Sequence, residues 1–298
     1  MRHPPPVDRI LMAVLTLLML WGCTPQAPRP IRSTSSPAPT STLAFQTPEA
    51  SPSASPTPIL TARPQPWMEG PIRIGLSAGG RPLEVFRFGL GESTRMIVAG
   101  IHGGYEWNTS ALAQALIDHL SQNPSLIPED VTLYILPVLN PDGAARGRDA
   151  NARGNDREVD LNRNWPALWE PTGSAGACWH YAGLTAGEYP ASEPEVRTLM
   201  AFILEHQVET LLNYHSAALG IFPGGQPPDS DSVRLAEAVS AVSPYPYPPI
   251  DLGCRYTGQL IDWASEQSIP SLDIELSTHS GIDWEINLRI LRVFLIFE

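Results

Sequence analysis

The stretch Ile101-His102-Gly103-Gly104-Tyr105-Glu106-Trp107 decides how the rest of the chain reads. Before it stands the apolar run Met96-Ile97-Val98-Ala99, a buried strand by its continuity. After it, from Thr109 to Leu120, apolar residues recur at helical spacing. A His and a Glu therefore sit at a strand-to-helix turn, where glycines let the backbone bend sharply. Imidazole and carboxylate are both zinc ligands, and a catalytic zinc takes three protein ligands plus an open position. Two donors come from this turn, so a third must come from elsewhere.

Working outward, strand-like runs lie near Ile72–Leu76, Leu83–Phe88, Met96–Ile101, Val131–Leu136, Thr210–Tyr214 and Ser271–Leu276. Helical patterns fill 109–121, 193–206, 231–242, 257–268 and 283–297. Strands alternating with helices predict an α/β domain with a mixed, largely parallel central sheet and helices on both faces. Active residues of such sheets gather beyond the carboxyl ends of strands, and His102, His215 and Glu275 all fall there. His215 ends an apolar run and supplies the missing third donor. Glu275, in Asp273-Ile274-Glu275-Leu276, is a carboxylate on a buried strand, costly there unless paired or functional. It is placed to take a proton from an activated water.

Between these lies a polar passage. Asn140-Pro141-Asp142-Gly143 is a turn signature after a strand. Arg146, Arg148, Arg153 and Arg157 follow, then Asp160-Leu161-Asn162-Arg163-Asn164-Trp165. Arg153 and Arg157 read as a solvated face. Asn162 and Arg163 read differently, because an arginine fork beside an amide donor holds a carboxylate.

The chain has 298 residues and a formal net charge of -12. That balance excludes a nucleic-acid partner, which needs basic surface. All 19 basic residues are arginine, so Schiff-base and P-loop lysine chemistry is excluded as well. Residues 1–23 read as an export signal: a basic start, the short apolar run Ile10–Trp21, then Leu20-Trp21-Gly22-Cys23, similar to a bacterial lipobox. Cys23 is the expected lipidation site. Residues 24–66, rich in Pro, Ser and Thr, read as a disordered tether, and 67–298 as the catalytic domain. The expected location is exported, lipid-anchored and facing outside the cytoplasm; that anchor is the expected membrane contact, and the domain is expected to be a monomer. With Cys23 lipidated, Cys178 and Cys254 remain, and an oxidising compartment favours their pairing.

Together these motifs resemble the zinc carboxypeptidase family, from His102 to the final helix. The resemblance implies a Zn2+ held by His102, Glu106 and His215, and Glu275 as general base. It implies that Asn162 and Arg163 hold a substrate's terminal carboxylate. Arg148, with Arg146 second, is the implied group polarising the scissile carbonyl. Ile261, just before Asp262-Trp263, is the implied floor of the side-chain pocket. Tyr256 is the candidate for the family's mobile tyrosine, although Cys254 occupies the strictly spaced position. Three residues separate His102 from Glu106, where the family usually has two. The implied activity is zinc-dependent hydrolysis of C-terminal peptide bonds on a peptide substrate. The alternative is a cell-wall amidase cutting γ-D-glutamyl bonds to a diamino acid in peptidoglycan peptides. A third reading is a non-catalytic peptide-binding module, disfavoured because base and ligands are all present.

Overall fold

A computed structural model describes residues 66–178, 183–217 and 219–298. The expected export signal with Cys23, and the tether up to residue 65, lie outside the described residues. The described residues fall within one compact unit, Ala62–Glu298. Its sheet has seven strands: β1 (Met68–Leu76), β2 (Pro82–Gly89), β3 (Ser93–Val98), β4 (Val131–Leu136), β5 (Thr210–Ser216), β6 (Ile221–Pro223) and β7 (Ser271–Leu276). They lie in the order β1-β2-β4-β3-β5-β7-β6. The four central strands are mutually parallel, and antiparallel strands flank them on both sides. The mixed α/β fold expected from the alternation is present. Its helices are α1 (Trp107–Gln122), α2 (Pro141–Arg146), α3 (Pro194–Glu205), α4 (Ser230–Ser240), α5 (Leu260–Glu266) and α6 (Trp284–Leu295).

Side chains alternate across a strand, so the parallel strands β3, β4 and β5 feed two cores, while β7 feeds one. Ile97, Leu133, Ile135, Leu212, Tyr214, Leu272 and Ile274 pack with residues of α1, α4 and α6. Met96, Val98, Tyr134, Leu136 and Leu211 pack on the other face with residues of α3 and α5. That alternation positions the site. On β5 and β7 the residues between the first core's contributors are Asn213, His215, Asp273 and Glu275, so all four share the other face. The register pairs Asn213 with Asp273 and His215 with Glu275 across the two strands.

Several features depart from the sequence reading: β1 begins at Met68, β3 ends at Val98, and the turn signature at Asn140 opens the short helix α2. The strand β6 escapes it, because Ile-Phe-Pro is too short to show a period. The last helix before β7 starts at Leu260 rather than 257. Gly258 takes φ +61°, and a Cβ there would stand 2.3 Å from the Arg163 carbonyl oxygen. That close approach holds the preceding segment in a turn against the 160–165 motif.

Candidate metal centre and its cavity

His102 and Glu106 bracket the turn after β3, and His215 ends β5 nearby. All three are 3 % exposed. Their donor atoms lie within 4.8 Å of one another. The two Nδ1 atoms stand 3.2 Å apart. Glu106 offers Oε1 to His102 Nδ1 at 2.7 Å and Oε2 to His215 Nδ1 at 3.2 Å. The extra residue between His102 and Glu106 does not displace the carboxylate. Gly104 absorbs it by lying against the 143–152 segment, where a Cβ would sit 1.7 Å from the Gly147 carbonyl oxygen.

Each imidazole is backed by a carboxylate on its other nitrogen. Asp160 Oδ1 lies 3.2 Å from His102 Nε2, and Asp273 Oδ2 lies 3.4 Å from His215 Nε2. Such carboxylates fix the ring and raise its basicity as a ligand. Glu106 faces the Nδ1 atom of both rings, while Asn213 Nδ2 stands 2.7 Å and Asn162 Nδ2 3.3 Å from His215 Nε2. Two neutral imidazoles and one carboxylate, converging and backed, fit zinc and leave a position open. Asn213 completes the arrangement, donating to Asp273 Oδ1 at 2.8 Å.

Electrostatics agree with a cation-binding centre. Burial opposes ionisation of Glu106, yet the adjacent His102 and His215 hold its carboxyl well below the usual range. Burial likewise opposes charge on Asp160, and Arg153 and His102 overcome it. His215 is held well above its ordinary value, against burial, by Asp273 and Glu106. A metal entering the centre would displace that proton. Glu275 goes the other way: burial and the Glu106 charge push it up to about 8. Its Oε2 is buried without a hydrogen-bond partner. A cation held by the triad would lower it again, leaving on the wall of the cavity a carboxylate able to accept a proton.

The cavity over the triad is lined by Arg153, Asn162, Arg163, Tyr256, Asp273 and Glu275, among others. Asn162 and Arg163 form a single turn of 3-10 helix, Leu161–Arg163, capped by Asp160. Asn162 Oδ1 accepts from the Leu260 backbone at 3.0 Å, anchoring the turn to α5. Arg163 Nη1 donates to the Asn162 carbonyl at 2.6 Å, and its Nε and Nη2 reach the Cys178 carbonyl at 3.4 Å. Tyr256 lies against this arginine, its ring 5.6 Å from the guanidinium carbon, and its hydroxyl is buried without a partner. Cys178 and Cys254 are joined by a disulfide with Cα atoms 5.2 Å apart. The bond ties the loop that receives Arg163 to the segment that carries Tyr256.

Three of the arginines, Arg146, Arg148 and Arg153, are not where the sequence reading puts them. Arg148 is exposed and stacks on Trp107, its guanidinium carbon 3.7 Å from the ring. That cation–π contact holds it away from the cavity. Arg146 is taken up by the Gly154 and Asn155 carbonyls. Arg153, read as part of a solvated face, is instead buried. It pairs with Asp160 at 2.9 Å and Glu106 at 3.2 Å. Arg157 does remain solvated, reaching Glu193 at 3.6 Å with its side chain 55 % exposed.

Ile261 lines a neighbouring apolar pocket that shares Phe222, Tyr256 and Gln259 with the cavity. Asp262 lines that pocket too, pushed up to about 6 by burial. Asp273 and Arg153 are the site residues the sequence reading missed. For Asp273 the signal was present, since it stands two positions before Glu275 and so shares its strand face. For Arg153 no local pattern marks burial.

The model of the zinc carboxypeptidase family matches residues 62–282, and the chain belongs to that family. It is 31% identical to carboxypeptidase A1 of Bos taurus over 238 residues, covering 68% of this chain and 56% of that protein. It is 29% identical to carboxypeptidase A1 of Mus musculus over 245 residues, covering 71% and 57%. The chain thus spans somewhat over half the length of these relatives. Among solved structures it resembles murein-tripeptide amidase MpaA from Escherichia coli O157, with TM-score 0.53 and 24% identity, covering 78% of this chain and 93% of that one. It also resembles carboxypeptidase A from Helicoverpa armigera, with TM-score 0.58 and 20% identity, covering 75% and 68%.

Proposed function

We propose that this chain is a zinc-dependent metallocarboxypeptidase, releasing the C-terminal residue of a peptide. The observation that carries this is the buried Arg163 guanidinium on the wall of the same cavity as the triad and Glu275. A fork so buried is suited to a substrate's free carboxylate and gains little from an amide. Zinc held by His102, Glu106 and His215 would supply Lewis-acid polarisation and a bound water acidic enough to ionise near neutrality.

The protein's own groups do the rest. Arg163 and Asn162 hold the terminal carboxylate and so fix the register of the scissile bond. Glu275 takes a proton from the attacking water at Oε2 and passes it to the leaving amine. Tyr256 closes the cavity beside Arg163 and offers its hydroxyl to the substrate. Arg153, committed to Glu106 and Asp160, is a positioning residue that fixes both carboxylates and helps keep Asp160 ionised.

The apolar pocket at Ile261 selects Phe, Leu or Tyr as the released residue. The second reading, peptidoglycan-peptide amidase, draws support from Asp262, an acceptor in that pocket for the amine of a diamino acid. An exported, lipid-anchored location through Cys23 belongs to either reading.

The deciding comparison is one peptide ending in Phe, as free acid and as amide, beside a muropeptide. The expected result is cleavage of the free acid with the amide refused. Equal rates on acid and amide would overturn the exopeptidase reading, and cleavage of the muropeptide alone would promote the second.

A further inference from the structure

One buried amide in the cavity wall has no role in the mechanism above. Gln259 is 9 % exposed and lines both the cavity over the triad and the apolar pocket beside it. Among the described residues its carboxamide has no hydrogen-bond partner. It stands at the N-cap of α5, yet its side chain makes no bond to that helix. A polar group this buried is costly unless something supplies its partner.

Its neighbours in sequence place it. Gly258 packs on Arg163, where a Cβ would stand 2.3 Å from the Arg163 carbonyl oxygen. Leu260 donates its backbone N–H to Asn162 Oδ1 at 3.0 Å. Gln259 is thus fastened on either side to the two residues assigned to the substrate's carboxylate. The cavity and the pocket share Phe222, Tyr256 and Gln259, so these three surround the passage between them. A released residue with its carboxylate at Arg163 and its side chain in the pocket has its Cα in that passage. The carboxylate is one bond away from that Cα, and Gln259 is the amide beside it.

The donors already named leave room for another. A carboxylate offers about four lone-pair sites, and a guanidinium carries five hydrogens. Three of those on Arg163 are engaged, Nη1 with the Asn162 carbonyl at 2.6 Å, Nε and Nη2 with the Cys178 carbonyl at 3.4 Å. Asn162 Nδ2 is drawn as well toward Asp273 Oδ2, 3.4 Å away. Around them the wall carries the carboxyl groups of Glu106, Asp273 and Glu275, which repel an anionic end.

We infer that Gln259 Nε2 donates a hydrogen bond to the terminal carboxylate of the substrate, beside Arg163 and Asn162. It is then a specificity-determining residue for peptides with a free-acid end. This rests on the carboxypeptidase reading, which puts that carboxylate at Arg163.

The test measures binding to the zinc-loaded full chain carrying Glu275→Gln, so that peptide is held without turnover. The probes are acetyl-glycyl-glycyl-phenylalanine and its C-terminal amide, titrated by calorimetry. The acid should bind more tightly. Adding Gln259→Leu should weaken the acid by about 10- to 100-fold, the worth of one hydrogen bond to a charged group, and keep the amide within about threefold. Adding Gln259→Glu, of the same shape but with a carboxylate facing the acid, should weaken the acid further and tighten the amide, whose N–H it accepts. A residue that only shapes the wall would weaken acid and amide alike. Equal losses on the two probes in Gln259→Leu, or an unchanged preference in Gln259→Glu, would overturn the inference. The side-chain amide resonance of Gln259, assigned by its absence from the Gln259→Glu chain, should shift with the acid and not with the amide. A resonance that ignores the acid would also overturn it. If the chain with Gln259 intact binds acid and amide alike, the carboxypeptidase reading falls and this inference with it. A preference there that survives in Gln259→Leu removes Gln259 alone.

Discussion

At the residue scale, three groups at strand ends and one at the helix start that follows were legible because chemistry and position coincide. His102, Glu106, His215 and Glu275 are costly where they stand unless used, and strand ends are where this fold uses them. Their roles separate by mutation. His215→Ala removes a ligand, so metal analysis should find the zinc lost along with activity. Glu275→Gln keeps shape and all three ligands, so zinc should stay bound while turnover falls roughly 10²–10⁴-fold. A Glu275→Gln chain that loses its metal, or turns over normally, would contradict the assignment. Arginines were the illegible residues. Arg146, Arg148, Arg153 and Arg157 are alike in sequence, and their fates depend on distant partners: carbonyls, Trp107, two buried acids and Glu193. The structure predicts that Arg153→Ala costs more than Arg148→Ala. Losing one partner of a buried pair strands the other charge, at about 3–5 kcal/mol. Steady-state kinetics and melting curves on the two variants check this. Arg148→Ala should change both only slightly, because its stack on Trp107 is on the surface.

At the scale of elements, apolar runs revealed the central strands, and their two-residue period set the faces on which Asp273 and Glu275 lie. Less visible was how the loop before the 160–165 motif is fastened. Asn155 is fully buried and donates to Glu193 at 2.7 Å and Glu195 at 3.3 Å, both at the start of α3. Glu195 Oε1 also accepts from the Ala78 backbone at 2.9 Å, so one carboxyl links the β1–β2 turn, the loop and α3. Burial pushes that carboxyl up from 4.5 to about 7. The sign follows from proton binding. Between these values the folded chain holds a proton that the unfolded chain has released, so stability falls as pH rises through the window. Below it the two states bind alike; above it the loss is complete. Glu195→Gln keeps the acceptor without the ionisation and escapes this loss. Relative to the parent it should gain stability from about pH 4.5 to about pH 7, by on the order of 3 kcal/mol at most. Denaturant midpoints at a series of pH values measure it. A difference that is flat with pH would show that Glu195 is not the titrating group.

At the scale of the whole molecule, the domain is acidic, and the first 66 residues carry +3 while the remainder carries -15. Its cavity lining is itself rich in carboxylates, so an anionic chain end is met by the Arg163 guanidinium locally and not by the net charge of the domain. One covalent link decides how firmly that site is held. The disulfide spans a sequence separation of 76 residues. It was legible from counting cysteines; what the sequence did not show is that the Cys178 carbonyl receives Arg163. Closing a loop of this size restricts the unfolded chain by up to about 4.5 kcal/mol, and the realised gain is typically about 2–4 kcal/mol. For a domain of this size that corresponds to roughly 5–15 °C in melting temperature. Replacing both cysteines by serine should lower the midpoint by that amount, as read by calorimetry. The same change frees the loop and the Tyr256 segment on either side of Arg163. Discrimination between free-acid and amidated peptides should therefore shrink, through a higher KM for the acid and little change in kcat. A double variant with lowered stability and unchanged discrimination would show that the disulfide braces the fold without holding the carboxylate site.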